Sequence, residues 1–261
     1  MLKGIYTPVS GATAQEKVLE IIANNLANVN TTGFKGDKVS FTLQEPEPDK
    51  HYISPLPPAN YKVNMEHMNP LVGNEMAYVG VADVKSDFTQ GAAVETGNNA
   101  DLMIDGDGFF VINTPQGERY SRDGAFKVSP DGALVNQDGL PVLGENGVIY
   151  VNGSGFSVNQ DGQVFMNDRY VDKIMLRSFS DNNQLERVGK NQYVYTGAPD
   201  TVSPSKASLR QGYLEGSNVN AIQNMTAMIA AHRSYEAYQK AIKNYDNMME
   251  KSANSIGEVK A

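Results

Sequence analysis

Apolar positions recur at three and four residues at both ends of the chain and lose that rhythm in the middle. From Ala12 to about Val29, residues Leu19, Ile22, Leu26 and Val29 mark one face of a helix. That helix runs into Asn28-Val-Asn-Thr-Thr-Gly33-Phe-Lys, where Asn and Gly tolerate the left-handed backbone that closes a last turn. Taken alone, such a stripe is also what an ordinary core helix shows.

From Val219 onward the spacing is that of heptads. One seam takes Ala221, Met228, Tyr235, Ile242, Met249 and Ile256, and its companion takes Asn224, Ala231, Tyr238, Tyr245 and Ser252. Five heptads without interior Pro or Gly predict a coiled-coil-like helix, roughly 55 Å long at 1.5 Å per residue. Ser217, Asn218 or Asn220 offers the N-cap. A second stripe, Ile222, Met225 and Ile229, lies beside the seam, and Ala227, Ser234, Gln239 and Ala241 stand where a simple dimer would carry paired charges. Such a helix is suited to being surrounded by several others. The alternative is that it packs against its own β domain.

Between the ends, residues 36 to about 80 show no sustained period, and Pro46, Pro48, Pro55, Pro57 and Pro58 remove backbone donors, which predicts an extended connector. Tyr78 to Val84 alternates like a strand. From about Asp87 to Gly212 short β-type runs alternate with turn signals, and Asp-Gly occurs six times, at Asp105, Asp107, Asp123, Asp131, Asp138 and Asp161. Asp-Gly favours the positive φ of hairpin turns, so antiparallel strands are expected. Phe126-Lys-Val-Ser-Pro-Asp-Gly-Ala-Leu134 and Phe156-Ser-Val-Asn-Gln-Asp-Gly-Gln-Val164 repeat one hairpin at a 30-residue offset. The expected fold is α+β, a mainly antiparallel β middle domain flanked by N- and C-terminal coiled-coil-forming helices. Its divisions are an N-terminal helix over 1–35, a Pro-rich connector over 36–85, a β-rich domain over 86–215 and a C-terminal helix over 216–261.

Composition narrows the chemistry. The 261 residues hold 22 Lys and Arg against 30 Asp and Glu, a formal charge of −8, with no Cys, no Trp and three His. Thiol nucleophiles, disulfide scaffolds and zinc ribbons are excluded, and without a basic run a nucleic-acid partner is not expected. The start, Met1-Leu-Lys-Gly-Ile-Tyr-Thr-Pro8, lacks a signal-peptide apolar region, and no run approaches the roughly 20 apolar residues of a membrane helix. A soluble chain that bypasses the general export route, without membrane insertion, is expected. His51, His67 and His232 have no Ser, Cys or carboxylate in a recognised catalytic motif beside them. Gly153-Ser-Gly155 is not a nucleophile elbow. Asp101, Asp105 and Asp107 do not match the EF-hand spacing, and Gly106-Asp-Gly108 lacks the rest of a phosphate-cradling loop. No catalytic, cofactor or metal site is expected, and no enzyme.

What remains is the pairing of ends. Apolar-striped helices at both termini suit a subunit that completes its core by polymerising. Three separated motifs then carry a resemblance. Ala23-Asn-Asn-Leu-Ala-Asn-Val-Asn-Thr-Thr-Gly-Phe-Lys35 resembles the signature of the bacterial flagellar rod and hook proteins. So do Gly106-Asp-Gly-Phe-Phe110 with Tyr120-Ser-Arg-Asp-Gly-Ala-Phe126 and Gly132-Ala-Leu-Val-Asn-Gln-Asp-Gly139, and Gln211-Gly-Tyr-Leu-Glu-Gly-Ser-Asn-Val219. The resemblance places motif residues at Asn25, Leu26, Asn28, Gly33, Phe34, Gly106, Gly108, Phe109, Gly216, Asn218 and Val219.

The family implies an axial structural protein of the basal-body rod, in the part that crosses the periplasm. Its terminal helices pair as a coiled coil lining the inner tube, its β domain sits farther out, and it is exported through the flagellar type III apparatus without a cleaved signal peptide. Implied partners are further copies of itself and neighbouring proximal-rod and distal-rod subunits. By position, Leu19, Ile22, Leu26 and Val29 would face Met228, Tyr235, Tyr238, Ile242, Tyr245 and Met249 or their equivalents in neighbouring subunits. Leu214-Glu-Gly-Ser-Asn-Val219 and Gly139-Leu-Pro-Val-Leu-Gly144 resemble the proximal-rod member more than the distal-rod or hook members, although Ala23 to Asn28 is shared by distal rod and hook.

Overall fold

The computed structural model describes residues 3–44, 78–151, 155–189 and 191–257. They form two compact units. One holds the chain up to Ala23, from Val39 to Val84 and from Met225 on; the other holds Asn24–Lys38 and Lys85–Asn224. The fold is α+β, with one helix near each end of the chain and antiparallel strands between them.

In the first unit, helix α1 (Lys3–Ala27) begins nine residues before the expected Ala12 and includes Pro8. The sequence stripe missed this stretch because small or unexpected residues carry its inner face. Pro8, Gly11, Ala12 and Ala14 are buried, and none belongs to a Leu/Ile/Val pattern. Farther on Ile21 and Ile22 are buried, while Leu19 and Leu26 are half-buried; Val29, also half-buried, lies in the turn beyond the helix. Helix α2 (Ala221–Gly257) is capped by Asn220, whose Oδ1 accepts from Gln223 N at 3.1 Å. Its shielded positions follow the heptad seam. Ala231 is buried, and Ala221, Asn224, Met228, Tyr235, Tyr238, Ile242, Met249 and Ser252 are half-buried. Tyr245 departs from the seam and is exposed, as are Ile222, Met225, Ile229 and Met248.

The two helices touch where Gly11 meets Tyr238. A Cβ at Gly11 would stand 2.5 Å from the tyrosine ring, so only glycine admits this approach.

Asp37–Gln44 forms a strand paired with Tyr78–Ser86 in a two-stranded ribbon, which corrects the connector expected from 36 to about 80. Asp-Lys-Val-Ser-Phe-Thr-Leu-Gln alternates polar and apolar residues with period two, the pattern of a half-exposed strand. The prolines of that connector, with His51 and His67, lie outside the described residues.

The second unit is built on a six-stranded antiparallel sheet in the order Leu185–Gly189, Gln192–Tyr195, Gly117–Ser121, Phe109–Thr114, Leu176–Phe179 and Val202–Pro204. Phe109-Phe-Val-Ile112 is a continuous apolar run because both faces of its strand are covered. Phe109 and Val111 join a core with Tyr120, Phe179, Leu185 and Tyr193, whereas Phe110 points to a second core with Leu102, Phe126, Leu134, Val142, Ile149 and Val164.

The repeated hairpins exist and share one turn. Ser129 N and Ala133 O bond at 2.8 Å, Asn159 N and Gln163 O at 3.0 Å, and the turn occurs a third time between Asn136 N and Leu140 O at 2.9 Å. Each loop has three residues rather than two, ending in a left-handed glycine: Gly132, Gly162 and Gly139 have φ of 84°, 81° and 80°. Ser129 Oγ, Asn159 Oδ1 and Asn136 Oδ1 cap the turns by accepting from backbone N–H groups. The fourth Asp-Gly with positive φ is at Gly106, while Gly108 and Gly124 serve close packing: a Cβ at Gly124 would fall 1.7 Å from the Leu102 carbonyl oxygen.

This separation of roles is measurable. Gly139 has open space around it, so Gly139→Ala carries only the left-handed penalty of about 1–2 kcal/mol. Gly124→Ala forces backbone apart and should lower the melting temperature of the full chain more than Gly139→Ala does.

Candidate assembly junction

Where α1 ends and α2 begins, the second unit holds a buried cluster of charge. Lys35 and Glu215 are 0% and 1% exposed, and their Nζ and Oε1 are 2.6 Å apart. Arg122, also buried, places Nη1 3.4 Å from Glu215 Oε2. One carboxylate therefore answers two cations. Lys35 Nζ also donates to the Thr89 carbonyl at 2.7 Å, and the Arg122 guanidinium, whose buried Nε has no hydrogen-bond acceptor, lies 5.1 Å from the Phe109 ring centroid, over a face that attracts cations. Gly91 N donates to Glu215 Oε1 at 2.8 Å. Burial pushes both the Lys35 ammonium and the Arg122 guanidinium down from their usual pKa, and Glu215 opposes the shift in each.

Around this cluster the chain is stitched by side chains that imitate backbone. Asn25 donates from Nδ2 to Asp37 O and accepts at Oδ1 from Asp37 N, both at 2.8 Å. Asn218 accepts from Gly36 N at 2.8 Å and donates to Asp87 O at 2.7 Å and Thr89 Oγ1 at 3.0 Å. Asn28 accepts from the Thr31 hydroxyl. Gly33, at φ +64°, donates to Glu215 O and lies so close to Arg122 and Asp123 that a Cβ would stand 2.5 Å from Asp123 N. Phe34 is buried under the Arg187 guanidinium at 4.5 Å, and Arg187 in turn donates to Lys35 O and pairs with Asp37 at 3.2 Å. Gly216 donates to Ala92 O, and a Cβ on Gly36 would touch Val219 at 3.0 Å.

Of the motif residues singled out in the sequence, Asn25, Asn28, Gly33, Phe34, Phe109, Gly216, Asn218 and Val219 thus gather here. Gly106 and Gly108 instead pack against Ala207 and Ser205. The residues that carry the charge, Lys35, Arg122 and Glu215, were not singled out although each stands inside a quoted motif. A charged residue embedded among Gly, Asn and aromatics was the available signal.

The chemical candidates disperse. His232 is exposed and stands 3.4 Å from Glu236, one helical turn away. Asp101 accepts from the Asn98 side chain at 3.1 Å, and among the described residues no three His, Cys, Asp or Glu converge as a metal set. Among the described helices none is long and apolar enough to cross a membrane.

Three family models match the chain. The flagella basal body rod protein model covers residues 5–35, the flagellar hook protein FlgE/F/G D1 domain covers 103–166, and the flagellar basal body rod FlgEFG protein C-terminal model covers 210–256. The chain is 33% identical over 264 residues to the flagellar basal-body rod protein FlgG of Agrobacterium fabrum, covering 95% of this chain and 97% of the relative. The chain belongs to the flagellar basal-body rod protein family. FlgF of Caulobacter vibrioides is 31% identical over 99% of this chain and all of its own, and the flagellar hook-basal body complex protein FlhO of Bacillus subtilis 32% over the same shares. The rod family is one of structural subunits, not of enzymes. Lys35, Arg122 and Glu215 each come from a different one of the three matched stretches, so the salt-bridge cluster joins all three.

Glu215→Ala leaves two buried cations unanswered and should cost about 3–5 kcal/mol in urea unfolding, whereas Lys17→Ala, which breaks the exposed Lys17–Glu20 pair, should cost less than about 1 kcal/mol.

Asp123 gives a pH signature. Burial pushes its carboxyl above 3.8, against the Thr32 hydroxyl and Ala125 N–H that it accepts from. A raised folded pKa favours the protonated folded state, so this contribution is full below 3.8 and is lost as pH rises through the folded value. Asp123→Asn keeps an acceptor oxygen and should flatten the fall in stability just above pH 3.8 in urea titrations.

Proposed function

We propose that this chain is an axial subunit of the flagellar basal-body rod, in its proximal part, polymerising with copies of itself and with neighbouring rod subunits to transmit torque for motility. The observation that carries the reading is the state of the terminal helices. Gly11 and Tyr238 meet, and the α2 seam is only partly shielded, with Tyr245 and the flanking Ile222, Met225 and Ile229 exposed. A helix with an apolar seam and an apolar flank has more surface to cover than one partner supplies.

In this reading the helices form a coiled coil whose seam is completed by neighbours. Leu19, Ile22, Leu26 and Val29 act with Met228, Tyr235, Tyr238, Ile242, Tyr245 and Met249 as assembly residues. The division into axial helices, connector and β-rich domain follows the same logic: the β domain folds around its own two cores, and the ends are shared. The route to the rod is the flagellar type III export channel, without a cleaved signal peptide. A chain free of Cys suits passage unfolded followed by folding without oxidation.

A distal-rod position is the second reading, favoured by the Ala23 to Asn28 segment that resembles distal-rod and hook members. Immunogold labelling of isolated basal bodies separates the two, with label next to the membrane-proximal end expected.

Ile242→Asp puts a carboxylate into the seam, where burying a charge without a partner is strongly unfavourable. Basal bodies from cells carrying Ile242→Asp should lack the chain, while the purified variant keeps the wild-type melting transition of the β domain. Normal incorporation of the variant would overturn the coiled-coil role.

A further inference from the structure

We infer that Met225 and Met248 on α2 are oxidation sites whose conversion to methionine sulfoxide blocks assembly reversibly. The inference rests on the reading of α2 as an assembly surface. The chain contains no cysteine, so two-electron oxidants meet no thiol and sulfur oxidation falls on methionine. Among the methionines with described side chains, Met103 is 3% exposed, whereas Met225 and Met248 are 51% and 56% exposed; Met166, Met175, Met228 and Met249 are half-buried. Both exposed thioethers stand on one helix. Met225 sits three residues after Ile222 and four before Ile229, in the middle of the apolar stripe.

The oxidant class is a hydroperoxide. The thioether sulfur attacks the peroxide, an S–O bond forms as the O–O bond breaks, and with hydrogen peroxide water leaves; sulfur is oxidised by two electrons and the peroxide is reduced by two. The product replaces a soft apolar contact with a strong S–O dipole. Burying that dipole in a helix stripe without a donor opposes packing, and methionine sulfoxide reductases restore the thioether. Once covered by a neighbour, Met225 is protected, so the brake acts on the subunit before it assembles.

The experiment uses the full chain with hydrogen peroxide as the probe. Peptide mass spectrometry should show Met225 and Met248 gaining oxygen about tenfold faster than Met103; equal rates overturn the site assignment. In sedimentation, oxidised chain should pellet as polymer about fivefold less than untreated chain, with recovery after reductase treatment. Within Met225→Leu/Met248→Leu, the ratio of polymer with and without peroxide should stay near one, and Met225→Gln should resemble the oxidised wild type. Oxidised wild-type chain that pellets as well as untreated chain overturns the brake. Untreated chain that never polymerises overturns the rod reading and the brake with it, while the oxidation rates still decide the sites.

Discussion

One carboxylate, Glu215, holds the second unit's chain entry and exit together. Two cations from distant parts of the sequence, Lys35 and Arg122, are out of water only because this group answers them. Buried ion pairs do not stabilise much over an apolar core, yet losing one member is severe. Such a cluster therefore acts less as glue than as a specification. It accepts one arrangement of the segment after α1, the strand end at Arg122 and the strand before α2, and penalises the rest.

Among the described residues, the helix pair of the first unit has exposed ion pairs only. In that pair Gly11 meets Tyr238, and Ala12 and Ala14 are buried. A loosely defined helix pair could slide or rotate. In the second unit, by contrast, Asn25 is fixed to the backbone of Asp37, and Asn218 to the backbone of Gly36 and Asp87, by two hydrogen bonds or more per asparagine. Directional amide bonds of this kind define the path of the chain within the second unit, where apolar contact alone would not.

The sequence revealed most where periodicity was strong. The α2 seam from Ala221 to Ser252 agrees with the shielded positions except at Tyr245, because heptad spacing reports a face directly. The Phe126 and Phe156 hairpins were legible as a repeat, although the third copy at Asn136 escaped notice because no Phe-x-Val precedes it. The start of α1 and the strand Asp37–Gln44 were missed for opposite reasons. In the first, glycine, alanine and proline replaced the large residues that make a stripe visible; in the second, a strand of eight residues was read together with the prolines that follow it. The pairing of the ion cluster was not legible, since its members are 87 and 93 positions apart and no local pattern links them, although each carries a charge inside a motif of Gly, Asn and aromatics.

The same division bears on where the molecule tolerates change. In the β unit the turn glycines are constrained by their backbone conformation and the core strands by neighbours within the chain, so substitution there is felt as instability of the subunit. On α2, in the proposed assembly, the constraint lies outside the chain. Ile222, Met225 and Ile229 remain exposed on the subunit, and their replacement by polar residues would leave the fold intact while removing apolar contact from an assembled one. Leucine would fill similar volume in that stripe without the reactivity of a thioether. In the proposed assembly, methionine there makes the strength of contact depend on redox chemistry, in a chain whose composition leaves oxidants no thiol to consume first.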